Sequence, residues 1–168
     1  MSEQLLPKGK NSIFGSCVEV TKSHLDVWNH ANNVCYVQWM QDVAVGHSAA
    51  LGWDSERYLK AGAIWVVRSH AIDYRHSTYE GDKILVQTWV DEMKRASCIR
   101  RYRFLLLPRD CDLNEIESKY RWSSFETFDA SNMAVIATAS THWAFVSTET
   151  FHPVKVFPEL SGLFENAQ

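Results

Sequence analysis

Apolar residues recur at steps of three and four between Asn33 and Gly52, and this spacing predicts one long helix. The residues expected on its apolar face are Val34, Val37, Ala44, Val45, Ser48 and Ala49. Gly52 is the predicted stop, because glycine commonly follows the last turn of a helix.

Segments rich in β-branched and aromatic residues predict strands on both sides of this helix. One precedes it, at residues 13–21, and the others follow at 63–74, 83–93, 97–107, 119–129 and 133–146. The last two are joined by residues 130–132, Ala-Ser-Asn, which are typical of a hairpin turn. One strand, one long helix and several antiparallel strands predict an α+β fold in which the sheet buries one face against the helix.

Length and composition narrow the class of protein. The 168 residues contain no internal repeat or Pro/Gly linker, so we expect a single domain over residues 1–168. A net charge of −3 gives no reason to expect a nucleic-acid partner. The N-terminal residues lack the apolar core of a signal peptide, and no segment approaches the roughly 18 apolar residues of a membrane span, so we expect a soluble, cytoplasmic protein. The four scattered cysteines suggest neither disulfides nor a zinc site, and no metal or organic cofactor is implied.

Polar side chains are concentrated directly before the predicted helix, in Asp26, Asn29, His30, Asn32 and Asn33. A helix start presents unpaired backbone N–H groups and the positive end of the helix dipole. Asp and Asn often cap helices, so the cluster fits either a structural cap or a site that holds a carbonyl oxygen.

Residues 26–36 read D-V-W-N-H-A-N-N-V-C-Y and resemble the signature D-x-x-G-H-V-N-N-x-x-Y of the 4-hydroxybenzoyl-CoA thioesterase branch of the hotdog family. A second segment, residues 72–90, resembles that branch's strand, polar turn, Gly-Asp pair and following strand. The resemblance covers roughly residues 13–146. It implies a hotdog fold, with an antiparallel sheet wrapped around one central helix, and a homodimer or homotetramer joined at sheet edges. It also implies hydrolysis of acyl thioesters of coenzyme A or of acyl carrier protein.

The resemblance implies roles for particular residues by their position in the motif. Asp26 would be the catalytic carboxylate, acting as general base or as nucleophile, and the backbone amide of Asn33 would polarise the thioester carbonyl. His30 is a third catalytic candidate, which would orient Asp26 or the substrate. Candidates for substrate binding are Asn32, Tyr36, Arg75, His76 and Ser97. Cations that could meet the phosphates of coenzyme A are Arg68, Arg75, His76, Lys94, Arg95, Arg100 and Arg101.

Two other functions compete with thioester hydrolysis. A hotdog hydratase or dehydratase typically shows D-x-N-P-x-H, with five residues from Asp to His, whereas Asp26 and His30 are four apart with no proline between them. A non-catalytic acyl-CoA-binding module is the other alternative, since a fold does not fix a function. A binder gains nothing from a carboxylate beside the carbonyl, so Asp26 favours an enzyme. The chain has no G-x-S-x-G motif, P-loop or dinucleotide fingerprint.

Overall fold

The computed structural model describes residues 12–165; the N-terminal residues, in which no signal peptide is expected, lie outside this range. Its strands are β1 (Ser12–Glu19), β2 (Ala63–Tyr74), β3 (Lys83–Met93), β4 (Ser97–Leu107), β5 (Trp122–Ser124) and β6 (Ala134–Ser147). Its helices are α1 (Asn33–Ala50), α2 (Ser55–Ala61), α3 (Leu113–Tyr120) and α4 (Pro158–Glu165). No helix within the described range is long and apolar enough to cross a membrane.

The strands form one antiparallel sheet in the order β2-β6-β4-β3-β1-β5. Strands β3 and β4 are consecutive in sequence and pair with Val86 opposite Phe104. Helix α1 packs on the face that carries Ile84, Val86 and Phe104, and it contributes Tyr36 to the same core. The predicted α+β arrangement, with the sheet covering one long helix, is confirmed.

Helix α1 begins and ends close to the predicted positions. Asn32 is its N-cap, and the Asn32 side-chain oxygen accepts a hydrogen bond from the Val34 N–H. After Ala50 the chain leaves the helix, and Gly52 has a φ of 87°, a left-handed conformation that glycine adopts without strain. The predicted stop at Gly52 is therefore confirmed.

The buried face of α1 differs in part from the predicted one. Ala44 is buried as expected, but Val34 and Val45 are 71% and 45% exposed. Trp39 and Met40 lie in the core instead. A tryptophan buries much more apolar surface than a valine, so the large side chains determine which face turns inward.

The predicted strand over residues 119–129 is wrong. Helix α3 occupies its start, and only the short β5 follows, paired with β1 rather than with β6. Asp112 caps α3, because its side-chain oxygen accepts hydrogen bonds from the N–H groups of Asn114 (2.8 Å) and Glu115 (3.3 Å). Leu113 and Ile116, three residues apart, then face one side of a helix. The hairpin expected at residues 130–132 does not form, since no strand precedes it directly.

Candidate active site

The polar cluster lies in a tight loop between a 3₁₀ turn, Lys22–His24, and the start of α1. Two backbone hydrogen bonds close this loop: the Asp26 N–H donates to the His30 carbonyl (2.8 Å), and the Asn29 N–H donates to the Asp26 carbonyl (3.1 Å). Asn29 has a φ of 61°, in the left-handed region that asparagine tolerates better than most residues. Asn29 thus makes the chain reversal for which the signature of the hotdog branch uses glycine.

The loop fixes the orientation of the Asp26 carboxylate. Its Oδ1 accepts hydrogen bonds from the N–H groups of Trp28 (2.8 Å) and His30 (3.2 Å). None of the residues in the range 12–164 donates a hydrogen bond to Oδ2. One carboxylate oxygen is therefore held by the backbone, and the other remains available to a water molecule or a substrate.

The first turn of α1 includes a backbone donor that has no partner among the described residues. Asn32 satisfies two of the neighbouring groups, since its Oδ1 accepts from the Val34 N–H (3.1 Å) and its carbonyl accepts from the Cys35 N–H (2.9 Å). Among the described residues nothing accepts a hydrogen bond from the Asn33 N–H. This amide stands at the positive end of the α1 dipole, where a negatively charged oxygen is stabilised.

Asp26 and Asn33 line one cavity of about 150 Å³, which we call the Asp26 cavity. Its other lining residues are His30, Ala31, Tyr36, Tyr74, Arg75, His76 and Ser77. Six of the residues proposed from sequence are thus brought together: Asp26, His30, Asn33, Tyr36, Arg75 and His76.

Two tyrosines connect the helix start to the sheet. The Tyr36 hydroxyl is hydrogen-bonded to Thr78 Oγ1 (3.0 Å), and the Tyr74 hydroxyl donates to the Asn33 carbonyl (3.0 Å). Burial raises the pKa of both Tyr36 and Tyr74, and for Tyr36 the bond to Thr78 opposes this shift more weakly. Both phenols therefore keep their proton at neutral pH, and Tyr74 holds the end of β2 against the start of α1.

The remaining polar residues of the cavity are placed by backbone contacts. The Arg75 and His76 N–H groups both donate to the Ile136 carbonyl, at 2.9 and 3.2 Å, and their side chains are exposed. The His30 ring packs edge-to-face on Tyr79 with 5.1 Å between ring centroids. His30 donates a hydrogen bond to the Asp26 carboxylate through its backbone N–H, and its ring forms no hydrogen bond with that carboxylate.

Two of the five residues proposed for substrate binding lie outside the set that lines the Asp26 cavity. Asn32 serves as the helix cap, and Ser97 is the first residue of β4, opposite Ala144 of β6. Tyr74 and Ser77 line the cavity but were not singled out from the sequence. The signal that could have found them is the polar stretch that begins with Tyr74 at the end of β2, where Tyr74 reaches the start of α1.

Residues 20–161 match the family model described as the thioesterase-like superfamily. No curated protein matches the chain by sequence.

Solved structures similar to this fold come from several bacteria. A DHNA-CoA thioesterase from Staphylococcus aureus has a TM-score of 0.70 and 18% identity, with coverage of 90% of this chain and 88% of that one. A 1,4-dihydroxy-2-naphthoyl-CoA thioesterase from Synechocystis has a TM-score of 0.68 and 12% identity, covering 90% and 95%. A hypothetical protein from Staphylococcus aureus in complex with CoA has a TM-score of 0.75 and 11% identity, covering 94% and 85%. These similarities show that the fold is the hotdog fold.

Proposed function

Because this chain belongs to the thioesterase-like superfamily, we propose that it hydrolyses an acyl-CoA or acyl-carrier thioester to a free acid and a thiol. One observation carries the proposal: a carboxylate with a free oxygen, on Asp26, and an unpaired helix-start amide, on Asn33, line the same cavity. Hydrolysis of a thioester needs both a group that activates the nucleophile and a donor that stabilises the oxyanion.

The Asn33 N–H is the proposed oxyanion donor. Attack on the thioester carbonyl places a negative charge on its oxygen, and the amide is already fixed by the helix before that charge develops. A preorganised donor of this kind is worth about 3–4 kcal/mol of barrier lowering. Tyr74 helps to fix the position of this amide, because its hydroxyl donates a hydrogen bond to the carbonyl of the same residue, Asn33.

Asp26 is the proposed catalytic carboxylate. In the general-base route its Oδ2 takes a proton from a water molecule, whose oxygen forms the new bond to the carbonyl carbon. The tetrahedral intermediate then expels the thiolate, which receives the proton, and the free acid is released. In the alternative route Asp26 attacks the carbon itself and forms a mixed anhydride that water cleaves. We favour the base route, because a mobile water tolerates small errors of position better than a carboxylate held by two backbone N–H groups.

A single turnover in oxygen-18 water, with enzyme in excess, separates the base route from an anhydride route in which water attacks the aspartyl carbon. Water attack on the thioester carbon puts the label in the acid product and leaves the protein unlabelled. Water attack on the anhydride at the aspartyl carbon puts the label in the protein and leaves the product unlabelled. Labelled protein with unlabelled product would contradict the base route.

Arg75 and His76 are the proposed contacts for the carrier part of the substrate. Their side chains are exposed where they border the Asp26 cavity, and the described residues form no ion pair with Arg75. An exposed guanidinium pairs readily with phosphate oxygens, and the hypothetical Staphylococcus aureus protein of the same fold was solved with CoA. This supports coenzyme A as the carrier.

We also propose that the protein is a homo-oligomer joined at β2. This strand has twelve residues and lies at the end of the sheet, paired with β6 on one side. A long edge strand leaves a row of unpaired backbone groups, and a second copy would satisfy them by continuing the sheet.

A panel of acyl-CoA substrates tests the function. Short, long and aromatic acyl groups should be offered to the purified protein, and free thiol should be measured with a chromogenic disulfide. We expect hydrolysis of at least one class well above the buffer rate, with one acid formed for each thiol. Hydration of a crotonyl-type substrate without thiol release would favour the hydratase, and binding without turnover of any substrate would favour the acyl-CoA-binding module.

A further inference from the structure

A second cavity, of about 300 Å³, lies against the C-terminal half of α1 and shares no lining residue with the Asp26 cavity. Three tryptophans form part of its wall: Trp53, Trp65 and Trp143. Leu59, which is 64% exposed, stands at its rim, whereas Arg100 is 5% exposed and lies at its base. We call it the Arg100 cavity.

Arg100 is a buried cation with no carboxylate partner in the described part of the chain. Its Nη1 donates hydrogen bonds to His47 Nδ1 (2.8 Å) and to Thr88 Oγ1 (3.2 Å). Nothing among residues 12–164 accepts from its Nη2 or Nε, and none of the residues that line the cavity is acidic. A buried charge without a counter-charge is strongly unfavourable, so the arrangement is incomplete as it stands.

His47 does not neutralise Arg100. A histidine nitrogen that accepts a hydrogen bond from a guanidinium must be unprotonated, so the ring carries no charge. Burial and the adjacent Arg100 guanidinium both lower the pKa of His47, so it stays neutral at physiological pH. The guanidinium lies over the Phe164 ring, at 5.4 Å from its centroid, but no carboxylate of the described residues balances its charge.

The hydroxyl groups of the wall add one more free donor. Ser48 Oγ and the Tyr58 hydroxyl are hydrogen-bonded to each other (2.7 Å), and the Trp65 indole N–H donates to the Tyr58 oxygen (3.2 Å). An indole nitrogen can only donate, so the mutual bond uses one of the two hydroxyl hydrogens and leaves the other without an acceptor among the described residues. The polar groups of this apolar cavity are thus short of acceptors.

We propose that the Arg100 cavity binds a small organic monocarboxylate, with its carboxylate on Arg100 and its apolar body against the tryptophans. A carboxylate supplies the missing negative charge and accepts from the guanidinium in a two-point geometry. A bare inorganic anion would supply the charge but would gain nothing from the apolar wall. The proposal concerns binding alone and does not rest on thioester hydrolysis.

Octanoate, octanamide and octan-1-ol test the proposal, since they share one apolar chain and differ in the head group. Their binding to the full-length protein can be measured by calorimetry and by tryptophan fluorescence, because three of the seven tryptophans line the cavity. We expect octanoate to bind at least about tenfold more tightly than octanamide, the low end for a charge-assisted hydrogen bond. Equal binding of the three compounds, no binding of octanoate, or equally tight binding of inorganic phosphate would overturn the proposal.

Arg100→Met and Arg101→Met form the matched pair of variants. Both remove one positive charge from β4, but Arg101 faces the other side of the sheet, where its Nε donates to Asp91 (3.0 Å). We expect Arg100→Met to abolish the preference for octanoate over octanamide and Arg101→Met to keep it. A preference that survives in Arg100→Met, or disappears in Arg101→Met, would show that Arg100 does not hold the carboxylate.

A second pair of variants decides the question if Arg100→Met fails to fold. Leu59 is exposed at the rim, so Leu59→Glu and Leu59→Gln leave the core unchanged. The added carboxylate of Leu59→Glu should repel octanoate at low salt, so its affinity should fall relative to Leu59→Gln while the affinity for octan-1-ol stays equal in the two variants. Equal octanoate affinity in both variants would contradict binding in this cavity.

Discussion

His47 should make the stability of the fold depend on pH. The His47 side chain is completely buried, and its ring packs on Phe14, Trp122 and Phe164, so that Arg100 is the one charged group hydrogen-bonded to it within the described chain. Burial, and secondarily the Arg100 guanidinium, hold the pKa of His47 well below its ordinary value of 6.5. In the unfolded chain the ring titrates near that ordinary value.

The direction and size of the effect follow from the difference in bound protons. Below pH 6.5 the unfolded chain takes up a proton at His47 and the folded chain does not, so the free energy of unfolding falls as the pH falls. The limiting slope is about 1.4 kcal/mol per pH unit. Between pH 6.5 and 5.5 the contribution of this one residue comes to about 1 kcal/mol, or roughly 2–4 °C in Tm for a chain of this size.

The variant His47→Gln isolates this contribution. The glutamine amide oxygen can accept the hydrogen bond from Arg100 but cannot take up a proton. Urea unfolding of both proteins at pH 7.5, 6.5 and 5.5 should show the parent losing about 1 kcal/mol more than the variant over the last step. Other titrating groups are common to both proteins and cancel in the difference. The same pH dependence in both proteins would refute the argument, even if the variant is less stable throughout.

Three further predictions concern the loop, the site and the assembly. His30→Ala should lower kcat less than Asp26→Asn in a thiol-release assay, because His30 holds the carboxylate through its backbone N–H; an equal loss would give the ring a direct chemical role. The free energy of unfolding of Asn29→Ala should be about 1–2 kcal/mol lower than that of Asn29→Gly, because alanine is strained at a φ of 61°. Equal stability of the two variants in urea would contradict this. Sedimentation at micromolar concentration should show a dimer or tetramer, and a monomer of 19.3 kDa alone would contradict assembly through β2.

The main elements of the fold could be predicted because their signals are local. Strands β2, β3 and β4 follow from runs of β-branched and aromatic residues, and α1 is marked by Asn32 at its start and Gly52 after its end. Helices α2 and α4 are not predicted, because seven or eight residues make only about two helical turns, which is too few for a 3.6-residue periodicity to stand out from a loop. Helix α3, which Asp112 caps, includes Lys119 and Tyr120 from the start of the predicted strand, and of the residues beyond Tyr120 only Trp122–Ser124 form a strand.

In the candidate site, too, the residues that are close in sequence could be predicted, and those brought together by packing could not. Asp26, His30 and Asn33 lie within eight residues of one another, so a single motif indicates them together. Tyr74, by contrast, reaches Asn33 across 41 positions, through the packing of β2 against the helix start. The hydrogen bond between Arg100 and His47 spans 53 positions.

Neighbouring arginines on β4 show a further limit of the sequence. Alternation along a strand indicates that Arg100 and Arg101 face opposite sides of the sheet, but it does not say which of them is buried. From sequence both were candidates for the phosphates of coenzyme A. In the structure Arg100 is buried at the base of the Arg100 cavity, and Arg101 is exposed.

The most direct test of the central claim is the kcat of Asp26→Asn on an acyl-CoA that the parent hydrolyses. Asparagine keeps an oxygen for the N–H groups of Trp28 and His30 and removes the charge, so the loop should keep its shape. Asp42→Asn is the matched control, because it makes the same change on the exposed side of α1, where Asp42 accepts from Gln38. We predict that kcat falls at least about a hundredfold in Asp26→Asn, with KM little changed, and stays near the parental value in Asp42→Asn. A near-parental kcat in Asp26→Asn would contradict the assignment of the catalytic carboxylate.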